Sequence, residues 1–165
     1  MKEEDIKSLP PLTIPYGNLR FAKDEKGDLK VYDPLRKKYL HLTPEEFVRQ
    51  NFVAWLIEGL GYPQSLMANE VGIKLNETSK RCDTVVFGRN GEPLMIVEYK
   101  APEVEITQET FDQIVRYNMQ LKARYLVVFN GRSKYCCRID YIRNTYNFIK
   151  QIPTYNEAAG MPGIN

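Results

Sequence analysis

The chain has 165 residues, of which 43% are hydrophobic and 27% are charged, and its formal net charge is +2. These values are typical of one globular domain, and a charge this small does not by itself indicate a nucleic-acid partner. The longest purely apolar runs fall far short of the roughly 18 residues of a membrane span, and the acidic start Met1–Asp5 is unlike a signal peptide. We therefore expect a cytoplasmic protein with no membrane partner.

Cysteine and histidine usage narrows the possible chemistry. The three cysteines are an odd number, and Cys136 and Cys137 are adjacent on a predicted strand, where they point to opposite faces. No disulfide framework is indicated. His41 is the only histidine, which excludes Cys/His zinc spacings and favours a surface position for that side chain.

Short extended segments follow an irregular start. Residues 1–17 hold three prolines and no sustained period, which predicts a surface arm. Leu19–Phe21 and Leu29–Tyr32 flank a turn-like segment and predict a β-hairpin. Leu35–Tyr39 mixes cations with an aromatic residue, and a solvated edge is favoured there over a phosphate contact.

The first clear helix begins at Thr43, which is followed by Pro44 at the first helical position and Glu46 at the capping-box position. Apolar residues then recur at three- and four-residue steps until the helix ends near Gly59. They are Phe47, Val48, Phe52, Trp55, Leu56 and Leu60. This stripe should pack on a sheet.

The rest of the chain predicts a mixed sheet. The tight turn at Asn90-Gly91 requires antiparallel neighbours, whereas a strand–helix–strand step allows a parallel crossover. The predicted elements are strands at 66–75, 82–87, 94–100 and 125–129, a helix at 107–122, and a closing hairpin at 135–140 and 144–149. We expect an α/β fold whose mixed central sheet is flanked by helices, with an N-terminal β-hairpin extension.

Charged residues meet at one end of this sheet. Glu98 and Lys100 are two apart on a strand and share a face, while Tyr99 points away. The hairpin turn aligns Asp83 with Tyr99 to within about a residue, and hence beside Glu98 and Lys100. Two carboxylates and an ammonium group therefore converge.

Two neighbouring carboxylates raise each other's cost of ionisation, and a divalent cation relieves that cost. Mg²⁺ commonly takes one or two protein carboxylates and keeps its other positions for water and phosphate oxygens, and Mn²⁺ should substitute for it. A nearby lysine can orient or deprotonate the metal-bound water. Phosphodiester hydrolysis is the chemistry that fits this arrangement best.

The second helix adds Gln113 and Tyr117, which lie one turn apart and off the apolar stripe. With Asp83 and Glu98-Tyr99-Lys100 they form the order D…ExK…QxxxY, which resembles the PD-(D/E)XK nuclease superfamily. More narrowly, the pattern is similar to the amino-terminal nuclease domain of type I restriction enzyme R subunits. The resemblance covers about residues 40–150.

The resemblance implies a metal-dependent endonuclease acting on DNA in a restriction or defence system. It makes Asp83 and Glu98 metal ligands, Lys100 the catalytic lysine, and Gln113 with Tyr117 a supporting motif. It also implies an additional acid, for which Glu46 is the first match and Glu70 a rival. Other restriction or defence subunits and a second copy of the chain are the implied protein partners.

Two features depart from the family pattern. Cys82 stands before Asp83 where the pattern has proline, and no GxxxxGK[ST] motif is present, so we expect activity without a translocase of its own. The expected organisation is an arm and hairpin at 1–42 packed on the same domain, a nuclease-like core at 43–150 and a tail at 151–165, its end disordered.

Alternative interpretations stay open. ExK on a strand occurs by chance as a structural salt bridge. Glu46 fits a capping box alone, Glu70 can pair with Lys74 or Arg81, and Tyr117 fits a half-buried core position. The whole chain could be a DNA-binding or scaffold module of a restriction complex that cleaves nothing, or a small-molecule hydrolase.

Overall fold

A computed structural model describes the backbone of residues 1–75 and 78–160, and their side chains except at positions 73, 75, 78–80 and 117. The chain order is one short helix, three strands, a long helix, three strands, a helix, three strands and a last short helix. The helices are α1 Glu3–Ser8, α2 Pro44–Glu58, α3 Gln108–Asn118 and α4 Tyr155–Ala158. The strands are β1 Phe21–Lys23, β2 Leu29–Asp33, β3 Lys38–His41, β4 Met67–Leu75, β5 Thr78–Phe87, β6 Pro93–Tyr99, β7 Tyr125–Phe129, β8 Lys134–Asp140 and β9 Thr145–Ile149.

The main sheet has six strands in the order β4-β5-β6-β7-β8-β9. Only the pairing of β6 with β7 is parallel within this described sheet, and α3 provides the crossover between those two strands. The other neighbours are antiparallel because short turns join them. The predicted α/β mixed sheet is therefore confirmed.

Two apolar layers cover the sheet. On one face, Val48, Phe52 and Leu56 of α2 pack against the sheet. On the other face, α3 contributes Phe111 and Val115 to a second cluster. The adjacent cysteines divide between the layers, Cys136 in the first and Cys137 in the second, so they point to opposite faces of the sheet as predicted. Cys82, Cys136 and Cys137, all among the described residues, form no disulfide.

The start of α2 follows the predicted signals. The Thr43 hydroxyl accepts a hydrogen bond from the Glu46 amide at 3.1 Å, and Pro44 is the first helical residue. Gly59 caps the other end through its amide, which donates to the Trp55 carbonyl at 2.8 Å. The helix also buries Arg49, Gln50 and Asn51, and its Phe47 packs with Leu29 and Val31 of the three-stranded sheet β1-β2-β3.

The N-terminal 42 residues are more ordered than the sequence indicates. The predicted hairpin is β1 and β2, and β3 extends it from the cationic segment as a largely exposed edge strand. The irregular arm expected at 1–17 contains α1, whose start is fixed when the Lys2 amide donates to Asp5 Oδ2 at 2.6 Å. Ile14 is buried in the main core.

Residues 151–160 also join the core. Ile152, Tyr155 and Ala158 are buried there, and the Tyr62 hydroxyl donates to the Pro153 carbonyl at 2.7 Å. The disorder expected at the end of the tail concerns residues outside the described range. Within that range, no helix is long and apolar enough to cross a membrane.

Candidate functional site

The candidate site lies where β5 and β6 diverge. Their ladder runs from Phe87 opposite Pro93 to Thr84 opposite Val97, which makes Asp83 and Glu98 the next cross-strand position. This register agrees with the predicted alignment to within one residue. Past the ladder, Asp83 Oδ2 accepts a hydrogen bond from the Tyr99 amide at 2.9 Å. The aspartate carboxylate is therefore fixed at the fork of the two strands.

The end of β6 alternates as predicted. Tyr99 is 2% exposed and packs against Phe52 in the core, with ring centroids 5.8 Å apart. Glu98 and Lys100 on either side of it are half-buried. The Lys100 amide donates to the Phe129 carbonyl of β7 at 3.0 Å, which fixes the backbone just beyond the strand.

Arg49 is the residue at the fork that the sequence reading missed. Its guanidinium, on α2, is only 4% exposed and lies 2.7 Å from Glu70 Oε1, 3.4 Å from Glu46 Oε2 and 3.8 Å from Asp83 Oδ1. It also lies over the Tyr99 ring at 5.6 Å. The spacing of Arg49 three residues after Glu46 on a helix was the available signal.

The carboxylates keep this arginine charged. Burial alone lowers the pKa of Arg49, but the negative charges of Glu46, Glu70 and Asp83 outweigh burial and raise the pKa above its ordinary value. The guanidinium thus acts as a fixed internal cation among four acids, because Glu45 Oε1 also lies 3.7 Å from it, and two of the four, Glu46 and Glu70, are the predicted additional acids.

The pKa of Glu45, in the first turn of α2, is shifted by the charged residues of the fork. Burial raises the pKa of Glu45, the negative charge of Asp83 raises it further, and the positive charges of Arg49 and Lys100 oppose that increase. The charges of Asp83 and Lys100 thus have opposite effects on the pKa of Glu45.

Glu70 reaches Arg49 through an unusual backbone conformation. Its φ of 57° is left-handed, although β4 continues on both sides of it with Asn69 opposite Thr84 and Val71 opposite Cys82. Such a conformation in a non-glycine residue costs on the order of 1–3 kcal/mol and persists only where the surroundings enforce it. The carboxylate also pairs with Arg81, one of the two partners that the sequence suggested.

Glu46 joins the fork to the N-terminal sheet. Its Oε1 accepts from Arg36 Nη2 at 2.8 Å and from Gln50 Nε2 at 2.9 Å. The Glu46 carboxylate is therefore committed to Arg36, Gln50 and Arg49 rather than to a capping box, although the Thr43 half of the cap forms.

A buried polar chain runs behind the fork. Asn69 Nδ2 donates to Asp33 Oδ2 at 3.0 Å, Thr84 Oγ1 donates to Asn69 Oδ1 at 2.6 Å, and Thr84 Oγ1 lies 2.9 Å from Tyr99 Oη. Because the threonine has a single proton and gives it to Asn69, the tyrosine is the donor in the last contact. Burial holds the pKa of Tyr99 well above its ordinary value, which keeps the hydroxyl protonated.

Of the predicted supporting motif, the structure describes the side chain of Gln113 but not that of Tyr117. Gln113 lies on α3 with an exposed side chain that makes no hydrogen bond to any described residue. Tyr117 belongs to the same helix, and its side chain lies outside the described set. The structure thus brings Asp83, Glu98 and Lys100 to one end of the sheet, with Glu46 and Glu70 gathered around Arg49 beside them.

The donor set at the fork suits a hard cation with few protein ligands. No group of three or more His, Cys, Asp or Glu side chains that could enclose a metal ion occurs among the described residues. Asp83 Oδ1, however, makes no hydrogen bond in that part of the chain, and its 3.8 Å ion pair with Arg49 leaves it room for a further ligand. One or two carboxylates are what Mg²⁺ usually takes from a protein.

One known protein family matches most of the chain. The family described as type I restriction enzyme R protein N terminus matches residues 44–153, which include α2, the whole six-stranded sheet and α3. No curated protein matches the chain.

Among solved structures, one match is a fragment described as an HsdR subunit of a type I restriction enzyme from Vibrio vulnificus YJ016. It is 16% identical, with a TM-score of 0.46, and the match covers 67% of this chain and 24% of that chain. On the family match, the chain belongs to the type I restriction enzyme R protein N-terminal family.

Proposed function

We propose that the fork of β5 and β6 hydrolyses DNA phosphodiester bonds with a bound divalent metal, as an endonuclease-like unit of a restriction or defence system. The observation that carries the proposal is the Asp83 carboxylate fixed by the Tyr99 amide at the cross-strand position beside Glu98, with Lys100 at the end of the same strand. Membership in the type I R-subunit N-terminal family supports the restriction relation.

Asp83 and Glu98 would hold Mg²⁺, and Mn²⁺ should replace it. When bound, the metal supplies Lewis-acid polarisation of the phosphate and acidification of a bound water. Asp83 suits this role because Oδ2 is used by the Tyr99 amide, whereas Oδ1 makes no hydrogen bond to a described residue and has only the 3.8 Å ion pair with Arg49. An anchored carboxylate loses little further conformational freedom on binding an ion.

Lys100 would position the attacking water and offset the negative charge that develops on the phosphate. Its backbone is held by Phe129, so the ammonium group extends from a fixed point at the sheet end. Tyr99 stays neutral in the core and acts as a positioning residue, because it holds both the Asp83 carboxylate and Thr84. Gln113 and Tyr117 would line the second wall against DNA.

A second candidate function is supported by Arg49. Its guanidinium already offsets part of the negative charge of Glu46, Glu70 and Asp83, as a bound cation would. The chain could therefore be a DNA-binding or scaffold module that keeps the fork and cleaves nothing, working with other restriction subunits or as a homodimer.

Nicking of supercoiled plasmid DNA separates the two functions. The nuclease proposal predicts nicking that requires Mg²⁺ or Mn²⁺, and loss of nicking in Glu98→Gln and in Lys100→Met. Glu109→Gln and Lys150→Met are matched controls, since both side chains are exposed and lie outside the fork. Retained DNA binding without cleavage in either metal would support the scaffold module.

A further inference from the structure

A cleft of about 300 Å³ opens at the end of the sheet opposite the fork. It lies between the β5–β6 turn, the segment before β7, and α4. β6 separates the cleft from the fork, and its seven residues at about 3.3 Å each place the two sites roughly 20 Å apart. The cleft is therefore distinct from the candidate nuclease site.

The side chains that line the cleft carry an excess of positive charge. Arg89, Lys122 and Arg124 line it, whereas Glu92 is the one acidic side chain among the described residues that line it. The excess of two positive charges matches a phosphate monoester, which carries about −1.5 to −2 at neutral pH. Arginine guanidinium groups also match phosphate in geometry, because they offer paired N–H donors.

The positions of the cations are set by the backbone around them. Arg124 Nη1 donates to the Ala158 carbonyl at 3.0 Å, which holds the guanidinium beside α4 and leaves its other donors for a ligand. Asn90 Oδ1 accepts from the Glu92 amide at 3.1 Å and stabilises the turn that carries Arg89. The Arg124 guanidinium and the backbone of the β5–β6 turn are thus held in place before any ligand binds.

The inner wall of the cleft is apolar and contains a buried polar group. Leu94 and Tyr155 line this wall and are 7% and 4% exposed. The Tyr155 hydroxyl is buried without a hydrogen-bond partner among the described atoms, whereas buried hydroxyls in proteins usually have one. A lining that combines apolar side chains with a few charged ones is the usual composition of a small-molecule site, and 300 Å³ lies at the lower end of the range for such sites.

We propose that this cleft binds the phosphate monoester of a nucleotide-sized ligand, with Arg89, Lys122 and Arg124 around the phosphate and the ring system against Leu94 and Tyr155. The inference goes beyond the proposed nuclease function and does not depend on it.

Four ligands test the site, and two of them, AMP and adenosine, differ only in the phosphate. The ¹H–¹⁵N spectrum of the full chain is titrated in EDTA with AMP, with adenosine, with inorganic phosphate and with a short oligonucleotide carrying a 5′-phosphate. AMP should shift the amides of residues 88–92, 94, 122–124 and 155–159, and adenosine should not. Inorganic phosphate should shift the amides around the cations more weakly than AMP.

Variants assign the binding to the cations. Arg89→Gln with Lys122→Gln should raise the dissociation constant for AMP at least about tenfold, because two charge-assisted contacts are lost. Arg143→Gln is the control, since this arginine is 82% exposed on the β8–β9 turn. Asp83→Asn should bind AMP unchanged, which separates this site from the fork.

Three results would overturn the proposal. They are equal shifts with AMP and adenosine, no shift in the cleft at about 10 mM AMP (a concentration far above typical site affinities), and unchanged AMP affinity in the double variant. Shifts with the phosphorylated oligonucleotide alone would show that the cleft receives a DNA end and not a nucleotide-sized ligand.

Discussion

The guanidinium of Arg49 lies 3.8 Å from Asp83 Oδ1, so a cation carried by α2 faces the carboxylate that the β5–β6 fork presents. The same group holds Glu70 at 2.7 Å. This relationship joins the helix to two strands through charge, and it makes the stability of the fork depend on one buried side chain.

Arg49→Met should destabilise the protein by about 3–5 kcal/mol, the usual cost of removing one partner from a buried ion pair. Methionine keeps the length and apolar contacts of the side chain but leaves Glu46, Glu70 and Asp83 without their shared cation. Urea unfolding followed by circular dichroism measures the change.

The control for this variant is Arg143→Met, which removes an exposed arginine and should change stability by less than about 0.5 kcal/mol. Combining Arg49→Met with Glu70→Gln should recover part of the loss, since one uncompensated charge is then removed. Strictly additive effects of the two substitutions would contradict the direct ion pair.

Thr84→Val should cost about 1–3 kcal/mol, because it leaves the Asn69 amide oxygen and the Tyr99 hydroxyl buried without their partner. Thr84→Ser keeps the hydroxyl and serves as the matched control, with a smaller loss from the missing methyl group. Thermal unfolding of both variants provides the comparison. Equal losses in the two would show that the methyl group, and not the hydrogen-bond chain, stabilises this position.

Asp33→Asn should destabilise the protein at neutral pH and much less in acid. Burial raises the pKa of Asp33, but hydrogen bonds from Asn69 and Arg36 outweigh burial and lower the pKa below its ordinary value. A lowered pKa adds stability above the unfolded pKa of about 3.9, and this stability is lost as the pH falls through the folded pKa.

The difference in unfolding free energy between wild type and Asp33→Asn should therefore be about 3 kcal/mol near pH 7 and shrink as the pH falls below about 4. Other titrating groups are shared by the two proteins and cancel in this difference. A gap that stays constant over the whole range would mean that the ionised form of Asp33 gains nothing from its partners.

Gln113→Ala should lower plasmid nicking about tenfold or more without lowering the melting temperature. The side chain is exposed and has no hydrogen-bond partner in the described part of the chain, so its removal costs the fold little. Gln120→Ala is a matched control, since Gln120 is also exposed but lies beyond the end of α3. Equal nicking by both variants would remove Gln113 from the proposed site.

The sequence predicted the parts of the structure that local signals determine. Thr43 and Pro44 located the α2 start, and the Asn90-Gly91 turn located the β5–β6 hairpin, so the register of Asp83 beside Glu98 followed to within a residue. Each depends on residues close together in the chain, where capping and turn preferences act directly.

The remaining features depend on tertiary contacts. Asn69 meets Asp33 across 36 residues, and Arg49 reaches Glu70 only because α2 packs beside the part of β4 where Glu70 has its left-handed backbone conformation. A lone arginine on a helix is usually a solvated cation, so its burial could not be predicted without the packing of α2 on the sheet. The helix α4 is four residues long, too short for a periodic signal.

A crystal soaked with Mn²⁺ tests the central claim most directly, because manganese gives anomalous scattering that locates it without ambiguity. We expect an anomalous peak between the carboxylates of Asp83 and Glu98, with Lys100 directed toward it, and loss of that peak in Glu98→Gln. A site that stays empty at saturating Mn²⁺, with Arg49 still paired to Asp83 and Lys100 turned away, would contradict a metal-dependent nuclease site at the fork.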